Sequence, residues 1–448
     1  MKKVLLLGAG LVSRPLARYL LEKGFFLTVV DQVKSKAEAL IDGHPNGRAD
    51  AWTTDDKQGL TRLIGEADLA VSLLPAAYHP LVAAECIARK KLMVTASYVS
   101  PAMRALEPEA KKAGILILNE IGVDPGIDHM SAMKIIDRVK SGGGKVVSFR
   151  SYCGGLPAPE ANTNPWGYKF SWSPRGVLTA GKNSARYLMD GRPVDIPGPE
   201  LFGNMHILDV PGLGELEAYP NRDSMSYIDL YGLRDAKTVF RCTLRYKNWC
   251  AAMLKIANSG FLDEKERDLK SMTFKQFSAS LLTGGFTGSI KDTLAAKMGV
   301  PPGSRAIQWL DWLGLFGDDP LPIEKGAPID VMAARMVAKM SYAPGERDML
   351  VMHHEFIAEY PPGGRKEKLT STLIDFGIPN GDTSMARTVS LPVAMAARLM
   401  LEGKIKGTGV QIPVTQGIYE PILKELEEMK NGIHFEETRT DLAAAAGR

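Results

Sequence analysis

The chain has 448 residues, 45% apolar and 24% charged, an ordinary globular composition long enough for two or three separately cored domains. A formal net charge of +4 implies neither a nucleic-acid nor a membrane field, and no stretch reaches the run of about eighteen apolar residues that a membrane span needs. Its four cysteines, Cys86, Cys153, Cys242 and Cys250, have neither metal-ligand spacing nor disulfide density, which points to a reducing, cytoplasmic setting.

The opening Met1-Lys2-Lys3 and the apolar run after it superficially resemble a signal peptide. Two glycines interrupt that run, Arg14 closes it and no small-residue cleavage site follows, so it reads as a first strand. The strand Lys3 to Leu7 enters Gly8-Ala9-Gly10-Leu11-Val12-Ser13, and a second apolar run, Phe25 to Val30, ends on Asp31. A parallel strand, a glycine turn opening a helix, and an acid about 20 residues on are the parts a dinucleotide site requires. Gly8 permits the tight turn, Gly10 lets backbone N–H groups approach a pyrophosphate, and Asp31 is placed to bond the adenosine ribose. A 2′-phosphate would set negative charge against Asp31, so NAD is the expected cofactor; NADP stays possible because Lys34 and Lys36 are near.

The pattern then keeps alternating. Helices are predicted over Lys34 to Ile41, Asp56 to Ile64, His79 to Arg89 and Pro101 to Ala113, and strands over Ala49 to Thr53, Leu69 to Leu74, Leu92 to Ala96 and Ile115 to Asn119. This is an α/β pattern, a doubly wound parallel sheet that binds ligands at its carboxyl ends. Beyond about residue 145 the strands lengthen. Val239 to Tyr246 alternates cleanly, with Phe240, Cys242, Leu244 and Tyr246 on a core face and Arg241, Thr243 and Arg245 on the other. Amphipathic helices fill about 250 to 340, strands return at Met349 to Ile357 and Leu369 to Ile374, and a helix follows from Val389 to Leu401. The neighbours His353 and His354 lie on opposite faces of a strand and are poorly placed to chelate one metal. The tail around Ala443 is expected to fray.

The block Cys153-Gly154-Gly155-Leu156-Pro157-Ala158-Pro159-Glu160, continued by Gly167-Tyr168-Lys169-Phe170-Ser171-Trp172-Ser173, resembles the glutamate-forming saccharopine dehydrogenases, the saccharopine reductase family. So do Ser97-Tyr98-Val99-Ser100-Pro101, Asn119-Glu120-Ile121-Gly122, Asp124-Pro125-Gly126-Ile127-Asp128-His129, Tyr219-Pro220-Asn221-Arg222-Asp223-Ser224 and Thr243-Leu244-Arg245-Tyr246. The resemblance implies a Rossmann-like dinucleotide-binding domain over 1–125, completed by 388–448. It implies a mixed α/β substrate-binding and dimerisation domain over 126–250 and 341–387, with a helical insertion over 251–340. The implied reaction is reversible oxidation of saccharopine to glutamate and 2-aminoadipate 6-semialdehyde, in a homodimer.

By matching position, the resemblance assigns cofactor contacts to Gly10, Leu11, Val12, Leu73, Ala96, Ser97, Val123, Asp124 and Pro125, beside Gly8 and Asp31. It assigns substrate contacts to Ser97, Tyr98, Asp124, Arg222, Thr243, Leu244 and Arg245. Arginine's planar fork suits the three carboxylates of saccharopine, against the alternative of ordinary ion-paired arginines. Tyr98 and Asp124 are candidates for proton handling, with Lys169 and His129 more distant ones, and Cys153 is a thiol lining the site. Two other functions compete: a reductase of a different aldehyde–amine adduct, such as carboxynorspermidine, and a non-catalytic dinucleotide-binding sensor. Two arginine clamps favour the tricarboxylate over a diamine adduct.

Overall fold

The structure, a computed structural model, describes residues 1–282, 288–361 and 364–442; the Ala443 tail lies outside the described residues. The chain opens with β1 (Lys3–Leu7), α1 (Arg14–Glu22), β2 (Phe26–Asp31), α2 (Lys34–Ile41), β3 (Gly47–Ala51) and α3 (Lys57–Glu66). It continues with β4 (Leu69–Ser72), α4 (His79–Ala88), β5 (Leu92–Val94), α5 (Pro101–Arg104), α6 (Glu107–Ala113) and β6 (Leu116–Leu118). These strands pair in parallel in the order β3-β2-β1-β4-β5-β6, so the order reverses beside β1 and opens a crevice there. Strand period decides the layers: Val4 and Leu6 join one apolar cluster, Leu5 and Leu7 the other. Each fully buried leucine contributes about 1.5–3 kcal/mol. The single helix expected over 101–113 is two, because Pro108 cannot continue a helix hydrogen-bond ladder and sits instead in the first turn of a new one, behind Leu106.

α7 (Ile127–Ser141) leads into the second layer: β7 (Lys145–Pro157), α8 (Pro174–Ala180), β8 (Ala185–Met189), β9 (Arg192–Ile196), β10 (His206–Val210), β11 (Gly214–Pro220), α9 (Ser226–Leu230) and β12 (Thr238–Arg245). A helical region follows, α10 (Trp249–Ile256), α11 (Phe274–Ser280), α12 (Ile290–Met298), α13 (Arg305–Leu313) and α14 (Pro328–Lys339), tied by the short ladder of β13 (Arg267–Asp268) and β14 (Lys325–Gly326). The chain ends with β15 (Asp348–Tyr360), β16 (Arg365–Phe376), α15 (Ser384–Leu401), β17 (Gly409–Gln411), α16 (Gln416–Glu428) and β18 (Glu436–Leu442).

The second sheet runs β10-β11-β12-β7-β15-β16-β18, with β8 pairing β12 and β9 pairing β8, and only β12 with β7 pairs in parallel. β17 returns to the first sheet as a parallel neighbour of β6, and α15 packs on α1. His353 Nδ1 meets Thr372 Oγ1 at 2.8 Å and His354 Nε2 meets Ser131 Oγ at 2.8 Å, on opposite faces of β15. Thr238–Arg245 does not split into a core face and a wet face. Both faces are covered, so Arg241 and Arg245 are buried.

Candidate active site

At the crevice between β1 and β4, Gly8 has φ +103° and a Cβ there would stand 3.0 Å from the Leu73 carbonyl oxygen, so glycine is what lets the two loops meet. Ser13, at the third position of the turn motif, donates to the Gly8 carbonyl (3.0 Å) and accepts from Gly10 N–H (3.1 Å). Above this turn the space is open: a Cβ on Gly10 would meet nothing, Leu11 is 66% exposed, and Val12 is half-buried. The first turn of α1 carries no acidic side chain, so its positive end is free for a pyrophosphate. These residues fit a dinucleotide. Ser97 Oγ, after β5, is 2.7 Å from His79 Nε2, whose Nδ1 is 2.9 Å from Ser72 Oγ at the end of β4. Burial pushes His79 down to about 4, so a neutral imidazole ties the two strand ends together.

Asp31 is oriented differently from the sequence expectation. Its Oδ2 accepts from Ala9 N–H and its Oδ1 from Val33 N–H, both at 2.9 Å, so the carboxylate braces the glycine turn. α2, which starts beside it, has Lys34, Ser35 and Lys36 in its first turn and no acid. Replacing Asp31 with Ala is therefore expected to weaken dinucleotide binding about tenfold through loss of charge-assisted bonds within the turn, without switching cofactor. Titration calorimetry measures this, and an unchanged dissociation constant would remove the bracing role.

The loop after β6 carries Val123, Asp124 and Pro125 to the same place, beneath Ala96, which would touch a Cβ on Gly122. There Arg241, from β12 and 2% exposed, donates to the hydroxyls of Tyr98 (3.1 Å) and Tyr227 (2.7 Å), to Asp128 Oδ2 (3.0 Å), and to Asp124. Tyr98 donates to Asp124 (3.2 Å), and His129 is bonded through Nε2 to Glu120 (2.8 Å) and through Nδ1 to Tyr231 (2.7 Å). Three carboxyl groups thus face one guanidinium and one imidazole. Burial raises Asp124 by more than Arg241 lowers it. For Asp128 burial is outweighed by His129, Arg241 and two backbone N–H bonds, which hold it below the ordinary range. In His129 burial is likewise outweighed, here by Asp128 and Glu120, and the imidazole is raised. Asp124 is accordingly the carboxyl whose protonated form burial favours, while burial keeps the Tyr98 phenol protonated, as a hydrogen-bond donor.

Along β12, Thr243 and Arg245 share Arg241's face, whereas Leu244 turns its side chain into the apolar cluster on the other face, leaving its backbone to the site. Cys153 on β7 lies opposite Thr243, a buried thiol that burial pushes well up and so keeps neutral. Arg222, exposed and at φ +52°, places its guanidinium 5.1 Å over the Tyr98 ring. Lys169 is committed to Glu346 at 2.6 Å. Arg245 is different: 3% exposed, it lies over the rings of Tyr168 (4.9 Å) and Trp249 (5.4 Å). Among the described residues it bonds only the Leu244 carbonyl (2.7 Å), has no carboxylate partner, and leaves Nε unpaired beside an unpaired Tyr168 hydroxyl. Glu217, opposite it on β11 and buried, accepts instead from the Asn248 and Cys250 N–H groups, so Arg245 keeps donors that no carboxylate of the described residues takes.

Sequence reading assigned no role to Arg241, Glu120, Asp128, Tyr227 or Tyr231. The quoted blocks containing Glu120 and Asp128 mark the segments, but nothing local pairs them with β12.

A dinucleotide crevice beside a buried cluster of carboxyl, phenol and imidazole groups and an arginine without a carboxylate partner is the arrangement of a two-layer Rossmann-type oxidoreductase. Residues 4–118 match the model of the saccharopine dehydrogenase NADP binding domain and residues 122–433 that of the saccharopine dehydrogenase C-terminal domain. The chain belongs to the saccharopine dehydrogenase family. It is 40% identical to the saccharopine dehydrogenase [NADP(+), L-glutamate-forming] of Schizosaccharomyces pombe, covering 98% of this chain and 100% of that one. It is 39% identical to the mitochondrial alpha-aminoadipic semialdehyde synthase of Bos taurus, over 95% of this chain but spanning only 47% of that protein. The solved structure of apo saccharopine dehydrogenase (L-Glu forming) from Saccharomyces cerevisiae superposes with a TM-score of 0.86 at 39% identity, over 98% of this chain and 100% of that one. The expected preference for NAD is overturned: the matched family domain and the fungal relatives are NADP-linked. Asp31 is turned toward the Ala9 and Val33 N–H groups, and the first turn of α2 beside it offers Lys34, Ser35 and Lys36 and no acid, a surrounding that offsets its charge against a 2′-phosphate.

Proposed function

We propose that the chain catalyses the NADP-linked oxidation of saccharopine to L-glutamate and 2-aminoadipate 6-semialdehyde. The observation that carries this reading is Arg245, a buried guanidinium without an anion on the same strand face as the Asp124 and Tyr98 cluster. At about 3.3 Å per residue the four-residue step from Arg241 to Arg245 is about 13 Å, suited to a substrate whose reacting amine and carboxylate are several bonds apart. The glycine turn would hold the pyrophosphate, and Lys34, Ser35 and Lys36 at the start of α2 are suited to a 2′-phosphate. NADP+, when bound there, would supply a hydride acceptor for the substrate C–H next to nitrogen.

The chain's own residues handle the rest. Arg245 and Arg222 fix the carboxylates so that the reacting carbon is oriented. Loss of the hydride leaves a C=N bond; water adds to its carbon, and the C–N bond then breaks with nitrogen leaving on glutamate. Asp124 takes the proton that the amine or the adding water releases and returns one to the departing nitrogen, while Tyr98 donates a hydrogen bond to the nitrogen or the hydroxyl. Assay of the purified protein with saccharopine and NADP+ is expected to yield glutamate and the semialdehyde. Release of lysine and 2-oxoglutarate would place the oxidised carbon on the wrong side of the nitrogen and sink the reading.

The protein is further proposed to be a homodimer in a reducing compartment such as the cytoplasm. β10, at the edge of its sheet, leaves one side unpaired and exposes Ile207 at 46%, and all four cysteines are buried free thiols. Light scattering at micromolar concentration is expected to give twice the chain mass; a monomer alone would refute the dimer. No helix among the described residues is long and apolar enough to cross a membrane.

A further inference from the structure

Glu120 and His129 are not used by the steps above. They are 7% and 0% exposed, and Glu120 holds φ at +58°, a backbone conformation unfavourable for any residue with a side chain. An apolar pair would fill the space without desolvating a carboxylate and an imidazole. Glu120 Oε1 accepts from Val99 N–H at 2.9 Å, the residue after Tyr98, and Glu120 N–H donates to the Ser97 carbonyl at 3.1 Å, the residue before it. Its Oε2 is 2.8 Å from His129 Nε2, and His129 is bonded in turn to Tyr231 and stacked on Tyr227 with 5.5 Å between ring centroids. Tyr227 shares Arg241 with the Tyr98 hydroxyl. Tyr98 is therefore gripped twice, at its flanking peptide groups through Glu120 and at its hydroxyl through Arg241.

We propose that Glu120, locked in place by His129, is a positioning residue that holds the Ser97–Val99 segment so that the Tyr98 phenol and the Asp124 carboxyl meet the reacting amine. The catalytic part of this inference rests on the functional reading above; the hold on Val99 does not. Two variants separate geometry from charge. Glu120→Ala removes the acceptor of Val99 N–H. Glu120→Gln keeps it, because the amide oxygen can take the Val99 N–H while the amide nitrogen donates to His129 Nε2, with the imidazole proton moved to Nδ1 and given to Tyr231.

The expected result with saccharopine and NADP+ is a kcat about tenfold or more lower in Glu120→Ala, with the KM for NADP+ nearly unchanged, and near-parent kinetics in Glu120→Gln. Hydrogen exchange of the peptide containing Val99, read by mass spectrometry without any substrate, is expected to be about tenfold faster in Glu120→Ala and parent-like in Glu120→Gln. Should Glu120→Ala fail to fold, His129→Leu, which removes the donor to Glu120 Oε2 without touching Val99, is expected to speed the same exchange. Parent-like exchange in the folded Glu120→Ala or His129→Leu protein overturns the proposal, and so does a Glu120→Gln protein as impaired as Glu120→Ala, since the requirement would then be for charge. A parent inert toward saccharopine would refute the functional reading, while the exchange comparison would still decide the hold.

Discussion

Replacing Arg241 with Met is expected to cost about 3–5 kcal/mol of folding stability and to abolish turnover, because it leaves Asp124 and Asp128 buried together without their cation. The methionine fills much of the same volume, so the loss reads the charge more than a cavity. Adding Asp128→Asn removes one orphaned charge and should recover part of the stability without recovering activity. The pH dependence has a definite sign. Asp128, held below its ordinary value, contributes stability that is present above its unfolded pKa and lost as pH falls through the folded value. Asp124, raised, has the opposite sign: its stabilisation is present below its unfolded pKa and lost as pH rises through the folded one. Without Arg241, Asp124 loses its cation and Asp128 keeps only His129 and two backbone N–H groups, so both carboxyls are shifted upward from their values in the parent and the stability gap between parent and Arg241→Met should narrow as pH falls. Urea unfolding at about pH 8 and about pH 5 measures it; a gap that stays constant would mean the two carboxylates do not depend on this arginine.

What was legible in the sequence was local. The glycine turn, Ser13 at its third position and the alternating apolar runs of the first sheet dictate their structure over spans of a few residues, and they stand where expected. Charge direction was not legible. Asp31 follows a strand in the position of a ribose ligand, but its carboxylate also takes the nearby Ala9 and Val33 N–H groups, which no local pattern announces. The strand pattern placed Arg241 and Arg245 on one face and could not show that the first is saturated and the second empty. That difference depends on Asp124 and Asp128, more than a hundred residues earlier in the chain. β18, Glu436–Leu442, has no apolar alternation at all and is recruited by the free edge of β16, so only the tertiary structure makes it a strand.

The contrast between the two arginines gives the most discriminating expectation. Arg245 has no anionic partner, so in the free protein its burial works against folding, and the Tyr168 and Trp249 rings around it offset this only in part. Replacing it with Leu keeps apolar bulk and removes the desolvated charge. The folded protein should become no less stable, and its unfolding midpoint is expected to rise by about 1–4 kcal/mol equivalent, the range found when buried ions give way to apolar residues. Activity should move in the opposite direction. A charge-assisted bond to a substrate carboxylate contributes about 1.5–3 kcal/mol, so kcat/KM for saccharopine should fall by about one to two orders of magnitude, mostly through KM, with NADP+ binding unchanged. Stability gained together with substrate affinity lost is the signature of a residue kept for its ligand. If Arg245→Leu instead lost stability while keeping its affinity for saccharopine, the guanidinium would be a structural cation held by its aromatic neighbours, and the substrate carboxylate would have to be sought at Arg222.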